Sequence, residues 1–226
     1  MFIGHYGVAL GAKTVRPRLS LGILFLAVQF LDVLFAIFVL AGVEKMRIVP
    51  GFTAYNPYDL YWMPYSHSLA GAVVWSVLFG AGSFAWWRRH AFRDRGAAAA
   101  ILGAAVFSHF VLDFPVHTQD LPLTPASGSQ KIGLGLWNHT AATTALELAV
   151  LLAGAVLYLR ATRPRSRGGR VATTVFAVAL AALTVATPFM PDPPSAPAFA
   201  IQALVSYLLL AVAAEWVDRK REPRVS

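Results

Sequence analysis

The 226 residues are 57% hydrophobic and 13% charged, with a mean hydropathy of +0.59, values that belong to polytopic membrane proteins and exclude an ordinary water-soluble domain. The formal charge of +8 does not point to nucleic acid, because the basic residues sit in short connections between apolar stretches and no basic stripe with interleaved aromatics occurs. Cysteine is absent, which excludes disulfides and thiolate metal sites and leaves imidazole, carboxylate, amide, backbone or water as the only metal donors.

In chain order, residues 1–12 are apolar but too few to cross a bilayer as a helix, and the basic cluster Lys13, Arg16 and Arg18 follows them rather than preceding them as a cleaved signal would require. The expectation is a retained re-entrant or bundle-packed half-helix carrying His5. Six apolar segments follow, at about 19–43, 67–87, 97–114, 139–159, 171–188 and 198–217, each long enough to cross roughly 30 Å of hydrocarbon. The predicted fold is therefore all-α, a polytopic transmembrane helical bundle of about six spans. Residues 1–162 form a four-span unit holding the ionisable groups, and 163–226 read as two appended spans with a basic tail, one membrane domain in all.

Of the 19 Lys and Arg residues, 16 fall in connections on one side, while Lys45, Arg47 and Lys131 fall on the other. The positive-inside rule then places both termini in the cytoplasm. Aromatic belts agree: Tyr55, Tyr58, Tyr61, Trp62, Tyr65 and Trp137 lie in the outer connections, and Trp86, Trp87 and Trp216 close spans on the inner side. Two outer loops, 44–66 and 115–138, are longer than topology requires, as functional loops are.

An ionisable group in hydrocarbon costs roughly 2.5–3.5 kcal/mol on insertion scales and marks an ion, proton or substrate site. Asp32 and Glu147 lie within spans, and Ser108-His109-Phe110-Val111-Leu112-Asp113 closes the third. His109 and Asp113, four apart, share a helix face and can both reach one ion. Pro115 ends that helix, with His117 and Asp120 just outside bordering a substrate entrance. The second span opens at Ser66-His67-Ser68, where Ser66 is either a helix cap with His67 at the interface or His67 is a ligand. In the first span Gln29 and Asp32 share a face, and Asp32 can meet His5 if the half-helix enters from the cytoplasmic side. The fourth span carries a polar stripe of Thr140, Thr144 and Glu147, with Asn138, His139 and Thr143 nearby; packing through hydroxyls accounts for the threonines but not for Glu147. His90, among Arg88, Arg89 and Arg93, reads as a solvated cytoplasmic loop residue. A cation bound by neutral imidazoles and carboxylates would explain the convergence of the rest, with zinc the best fit and manganese or magnesium the oxygen-loving options.

His5, Asp32, His67-Ser68 and the Ser108-His109 to Asp113 element together resemble the predicted membrane-bound, metal-dependent hydrolases of bacterial inner membranes, over roughly residues 1 to 120. The resemblance implies an inner-membrane hydrolase. The chain departs from it in having only Asp32 where the family has a Pro-Asp-x-Asp pair, and Tyr65-Ser66-His67-Ser68 where the family has a His-Arg-Gly-x-Thr-His-Ser run. Either His117, His139 or Glu147 substitutes, or catalysis is lost.

The functional expectation is a metal-dependent hydrolase acting at the outer face on a phosphoester or related bond of a lipid or other amphipathic substrate. His5, Asp32, His67, His109, Asp113 and His117 are the metal candidates, Glu147 and Asp32 the catalytic ones, and Asp120, Asn138 and His139 the substrate-contacting ones. The alternatives are a proton- or ion-coupled carrier using the same groups as a relay, and a haem-binding or non-catalytic membrane protein. The expected partners are the lipid bilayer and a lipid or amphipathic substrate, with no nucleic acid.

Overall fold

The structure is a computed structural model describing residues 1–88 and 94–224. The His90 reading falls outside the described residues. Among the described residues eight α-helices carry the fold: α1 (His5–Val15), α2 (Leu21–Val28), α3 (Phe30–Leu40), α4 (Leu69–Arg88), α5 (Arg95–Val116), α6 (Thr140–Ala161), α7 (Arg167–Ala186) and α8 (Ala196–Asp218). Six short strands pair only as antiparallel ribbons: β1 (Lys45–Ile48) with β2 (Tyr58–Trp62), β3 (Leu121–Pro122) with β4 (Lys131–Ile132), and β5 (Thr162–Pro164) with β6 (Arg221–Pro223).

Among the described residues five helices are long and apolar enough to cross a membrane, and a sixth crossing results if α2 and α3 count as one. The side chains that face outward from them are Val73, Val74, Val77 and Leu78 on α4, Val175 and Val178 on α7, and Ile201, Val205, Leu208 and Leu209 on α8. Water would not tolerate such a surface; hydrocarbon does. The fold is thus the multi-pass helical bundle that composition predicts.

Two differences from the sequence reading matter for the site. The first apolar segment is not one straight span: α2 and α3 meet at Gln29 at an angle of 57°, with neither Gly nor Pro at the break. The last two helices are not appended. α8 packs along α2 and α3, and its Tyr207 hydroxyl donates to Asp32 (3.0 Å).

The N-terminal half-helix is bundle-packed, as expected for a segment too short to cross. α1 lies against α6, α2 and α5, with Ile3, His5, Tyr6 and Ala9 fully buried. It approaches α6 backbone to backbone, since a Cβ on Gly154 would sit 1.9 Å from the Gly7 carbonyl oxygen and only glycine fits. At its far end Lys13 is buried, donating to the Leu19 carbonyl (2.6 Å) and pairing with Asp218 on α8 (2.7 Å). This arrangement fixes α1 at both ends and holds its first turn in the middle of the bundle.

Candidate metal centre

Four elements bring ionisable groups to one point. α5 delivers His109 and Asp113 one turn apart on its buried face, and His117 follows at its C-cap; the helix runs through Pro115 to Val116, two residues further than expected. α3 delivers Asp32 from its first turn, where the helix dipole favours a carboxylate. α1 delivers His5, and the turn before α4 delivers His67. Ser68, not Ser66, caps α4, accepting from the Gly71 amide (2.9 Å), which leaves Ser66 free for another task.

Asp113 is 1% exposed and His109 fully buried. The Asp113 Oδ2 oxygen faces the Nε2 atoms of His109 (3.0 Å), His117 (3.5 Å) and His67 (3.8 Å). Its Oδ1 oxygen faces His5 Nε2 (3.2 Å) and the Met1 amine (2.6 Å). Asp32 Oδ1 faces His67 Nε2 (3.3 Å) and His109 Nε2 (3.5 Å). His5 therefore meets Asp113, not Asp32, and stacks on the His109 ring with centroids 4.0 Å apart. Two trios, His5-His109-Asp113 and Asp32-His67-His109, each present donor atoms within 4.8 Å of one another.

The opposite nitrogen of three of these rings is held, and the holders determine where each proton sits. His109 Nδ1 lies 2.7 Å from the Val28 carbonyl, an oxygen released from the helical ladder at the α2–α3 break; a carbonyl only accepts, so Nδ1 carries the proton. His117 Nδ1 lies 2.9 Å from Asp120 Oδ1, again an acceptor. Ser66 spends its one hydroxyl proton on Glu44 Oε2 (2.5 Å), so at 2.8 Å its Oγ accepts from His67 Nδ1. As neutral imidazoles all three then aim an Nε2 lone pair at carboxylate oxygens. Four of the five His67, His109 and His117 separations exceed normal hydrogen-bond length. They match the spacing of co-ligands, since two donors about 2.0–2.1 Å from one tetrahedral zinc lie about 3.3 Å apart. His109 Nε2 and both His5 nitrogens are buried without a hydrogen-bond partner of good geometry.

The cluster forms the floor of a cavity of 460 Å³, where Asp32, His67, Asp113 and His117 are exposed to it. Its walls are aromatic and apolar (Phe35, Met63, Phe199), and Asp192 and Gln202 stand among its polar lining. Burial, then Asp192, pushes the Tyr58 phenol on the same wall up to about 12, so it remains a hydrogen-bond donor at physiological pH.

Several expected residues take other places. Glu147 lines the cavity, but its carboxylate accepts from the Phe2 and Gly4 amides (Gly4 at 3.0 Å) and the Tyr55 hydroxyl (3.3 Å); it anchors the start of α1 and lies outside both donor trios. Asp120 holds His117 rather than lining the entrance. Asn138 and His139 are exposed and do not line the cavity, because the turn Leu136–Asn138 points Trp137 inward against His117 instead, at 4.0 Å between centroids. Sequence reasoning missed Glu44, Tyr207, Tyr55 and the Val28 carbonyl. Only Tyr207 had a signal, as a hydroxyl beside Gln202 and Ser206 in an otherwise apolar helix. Comparison with family models, curated proteins and solved structures returned no match.

Proposed function

We propose that this chain is an integral membrane, metal-dependent hydrolase-like protein that holds a divalent cation, zinc by the donor set, among His67, His109, His117, Asp32 and Asp113, with His5 completing the shell. The observation that carries this reading is the convergence of three Nε2 atoms on two buried carboxylates at co-ligand spacing. With neutral imidazoles, Asp32 and Asp113 bring two negative charges and the Met1 amine offsets one, leaving a buried excess that would cost several kcal/mol without a cation. Three imidazoles with two carboxylates favour zinc over manganese or magnesium.

When bound, such a cation supplies a Lewis acid for a phosphoryl oxygen and acidifies water. The chain's own residues do the rest. Ser66, Asp120 and the Val28 carbonyl fix the three rings, and Tyr207 holds Asp32 Oδ2, leaving Oδ1 for the site. Glu147 acts by positioning α1 and His5, because its oxygens are committed to three donors. The aromatic and apolar walls above a polar floor suit an amphipathic substrate with a phosphoester or related bond, the apolar part along Phe35, Met63 and Phe199. The charge asymmetry of the connections supports a bacterial inner-membrane setting with the cavity opening outward and the basic ends of the helices in the cytoplasm.

Metal analysis of detergent-purified protein tests the proposal. The expected result is about one zinc per chain in the wild type and none in His109→Ala or Asp113→Ala variants that remain monodisperse. Folded wild type without stoichiometric metal, or variants that keep it, would remove the proposal. Substrate-driven proton uptake by liposomes, with no hydrolytic product, would favour a carrier instead.

A further inference from the structure

A second cavity of 460 Å³ opens at the other, basic end of the bundle, between α6 and α7. Its walls are apolar: Leu151, Leu152 and Ala155 from α6, and Phe176, Ala177 and Leu180 from α7. Its mouth is basic, formed by Arg170, Arg221 and Arg224. Among the described residues no carboxylate lines it. The nearby acids are engaged elsewhere: Asp218 with Lys13 and Tyr158, and Glu222 with Arg163 and Arg165.

Arg221 is built into this mouth. It is 5% exposed and donates to Thr162 Oγ1 (2.8 Å), to the Thr162 carbonyl (3.0 Å) and to Thr173 Oγ1 (3.1 Å), a hydroxyl that itself lines the cavity. Burial pulls its guanidinium down from the ordinary range, and Arg224 beside it adds to the effect. Asp218 offsets part of this, and the positive charge that Arg170 and Arg224 add at the mouth suits an anion. Arg170 and Arg224 are exposed; Arg224 donates to the Thr162 carbonyl (3.3 Å), and among the described residues no carboxylate forms an ion pair with either arginine. In a bilayer an apolar slot between two helices is filled by hydrocarbon, since interiors pack at near-solid density and voids lose contact energy.

We infer that this slot is a binding site for one anionic phospholipid, its acyl chain between α6 and α7 and its phosphate at Arg170, Arg221 and Arg224. A free inorganic phosphate would satisfy the arginines but not the apolar walls. The site is independent of the metal cluster, which lies at the opposite end of α5 and α6.

The test uses full-length protein, delipidated in mild detergent, then given phosphatidylglycerol or phosphatidylcholine with identical acyl chains and followed by native mass spectrometry. Each exposed arginine contributes about fivefold to the preference for an anionic headgroup, so phosphatidylglycerol should be retained about 25-fold better, one molecule per chain. Arg170→Gln with Arg224→Gln should erase the preference. Ala177→Phe, which fills the slot, should lower retention of both lipids. Should the double variant not fold, Arg170→Gln alone decides, with an expected fivefold loss. Equal retention of the two lipids, a preference unchanged by the arginine variants, or displacement of the lipid by millimolar inorganic phosphate would overturn the inference.

Discussion

The carboxylate of Asp113 faces five nitrogen atoms between 2.6 and 3.8 Å, and the cluster is organised around it. Asp113→Asn keeps the shape and removes the charge, which leaves a buried amine without its partner; the expected cost is about 3–5 kcal/mol, together with loss of bound metal, measured by denaturant titration in mixed micelles alongside metal analysis. Ser66→Ala tests the orienting contacts instead. It deletes the one group that links Glu44 to His67, so zinc affinity should fall roughly 10–100-fold while the fold is retained, as read by competition with a chromogenic chelator. At this scale the sequence was partly legible. His109, Asp113 and Asp32 stood out because an ionisable group in an apolar stretch is anomalous on its face. The orienting roles of Glu44, Ser66 and Asp120 did not, because these residues lie in loops where polar side chains are ordinary and only three-dimensional proximity shows what they hold.

The helices explain why these groups meet. The 57° break at Gln29 places the start of α3, and with it Asp32, next to α5. Gln29 contributes by donating from Nε2 to the Phe2 carbonyl (3.2 Å), which ties the break to the chain just before α1. Hydrophobicity reports total length and not direction, so a run of apolar residues broken by neither Gly nor Pro reads as one span; that is why the break was missed. The half-helix α1, by contrast, was legible from length alone. Its seating against α6 depends on Gly154, where a larger side chain must push α1 away. A protein with no cysteine makes this measurable: Ala9→Cys, buried on α1, should resist maleimide in an otherwise wild-type chain and react within minutes once Gly154→Leu is added. Continued protection in the double variant would mean that α1 is held without the close approach.

For the whole molecule, the multi-pass architecture followed from composition, because long apolar helices have few other homes. What composition did not convey was integration. Residues beyond 163 carry no charged group in their span interiors, yet α8 supplies Tyr207 to Asp32 and part of the cavity wall, a contact between positions 175 residues apart. Orientation is testable with single cysteines on the two sides: Ser127→Cys, on the loop joining β3 and β4, should label with an impermeant maleimide on intact spheroplasts. Gly168→Cys, in the first turn of α7, should label only after the membrane is opened. The reverse pattern would put the metal cluster on the cytoplasmic side and overturn the outward-facing cavity.

The three rings that face Asp113 and Asp32 with fixed tautomers differ in what fixes them. For His67 and His117 the anchor is a side chain, so a single nucleotide change can release the ring. For His109 it is the carbonyl of Val28, which every amino acid at that position would also offer. In a saturation scan, position 28 should therefore tolerate any residue of suitable bulk, while positions 66 and 120 should not: the central imidazole is insured against mutation at its anchor by the main chain itself.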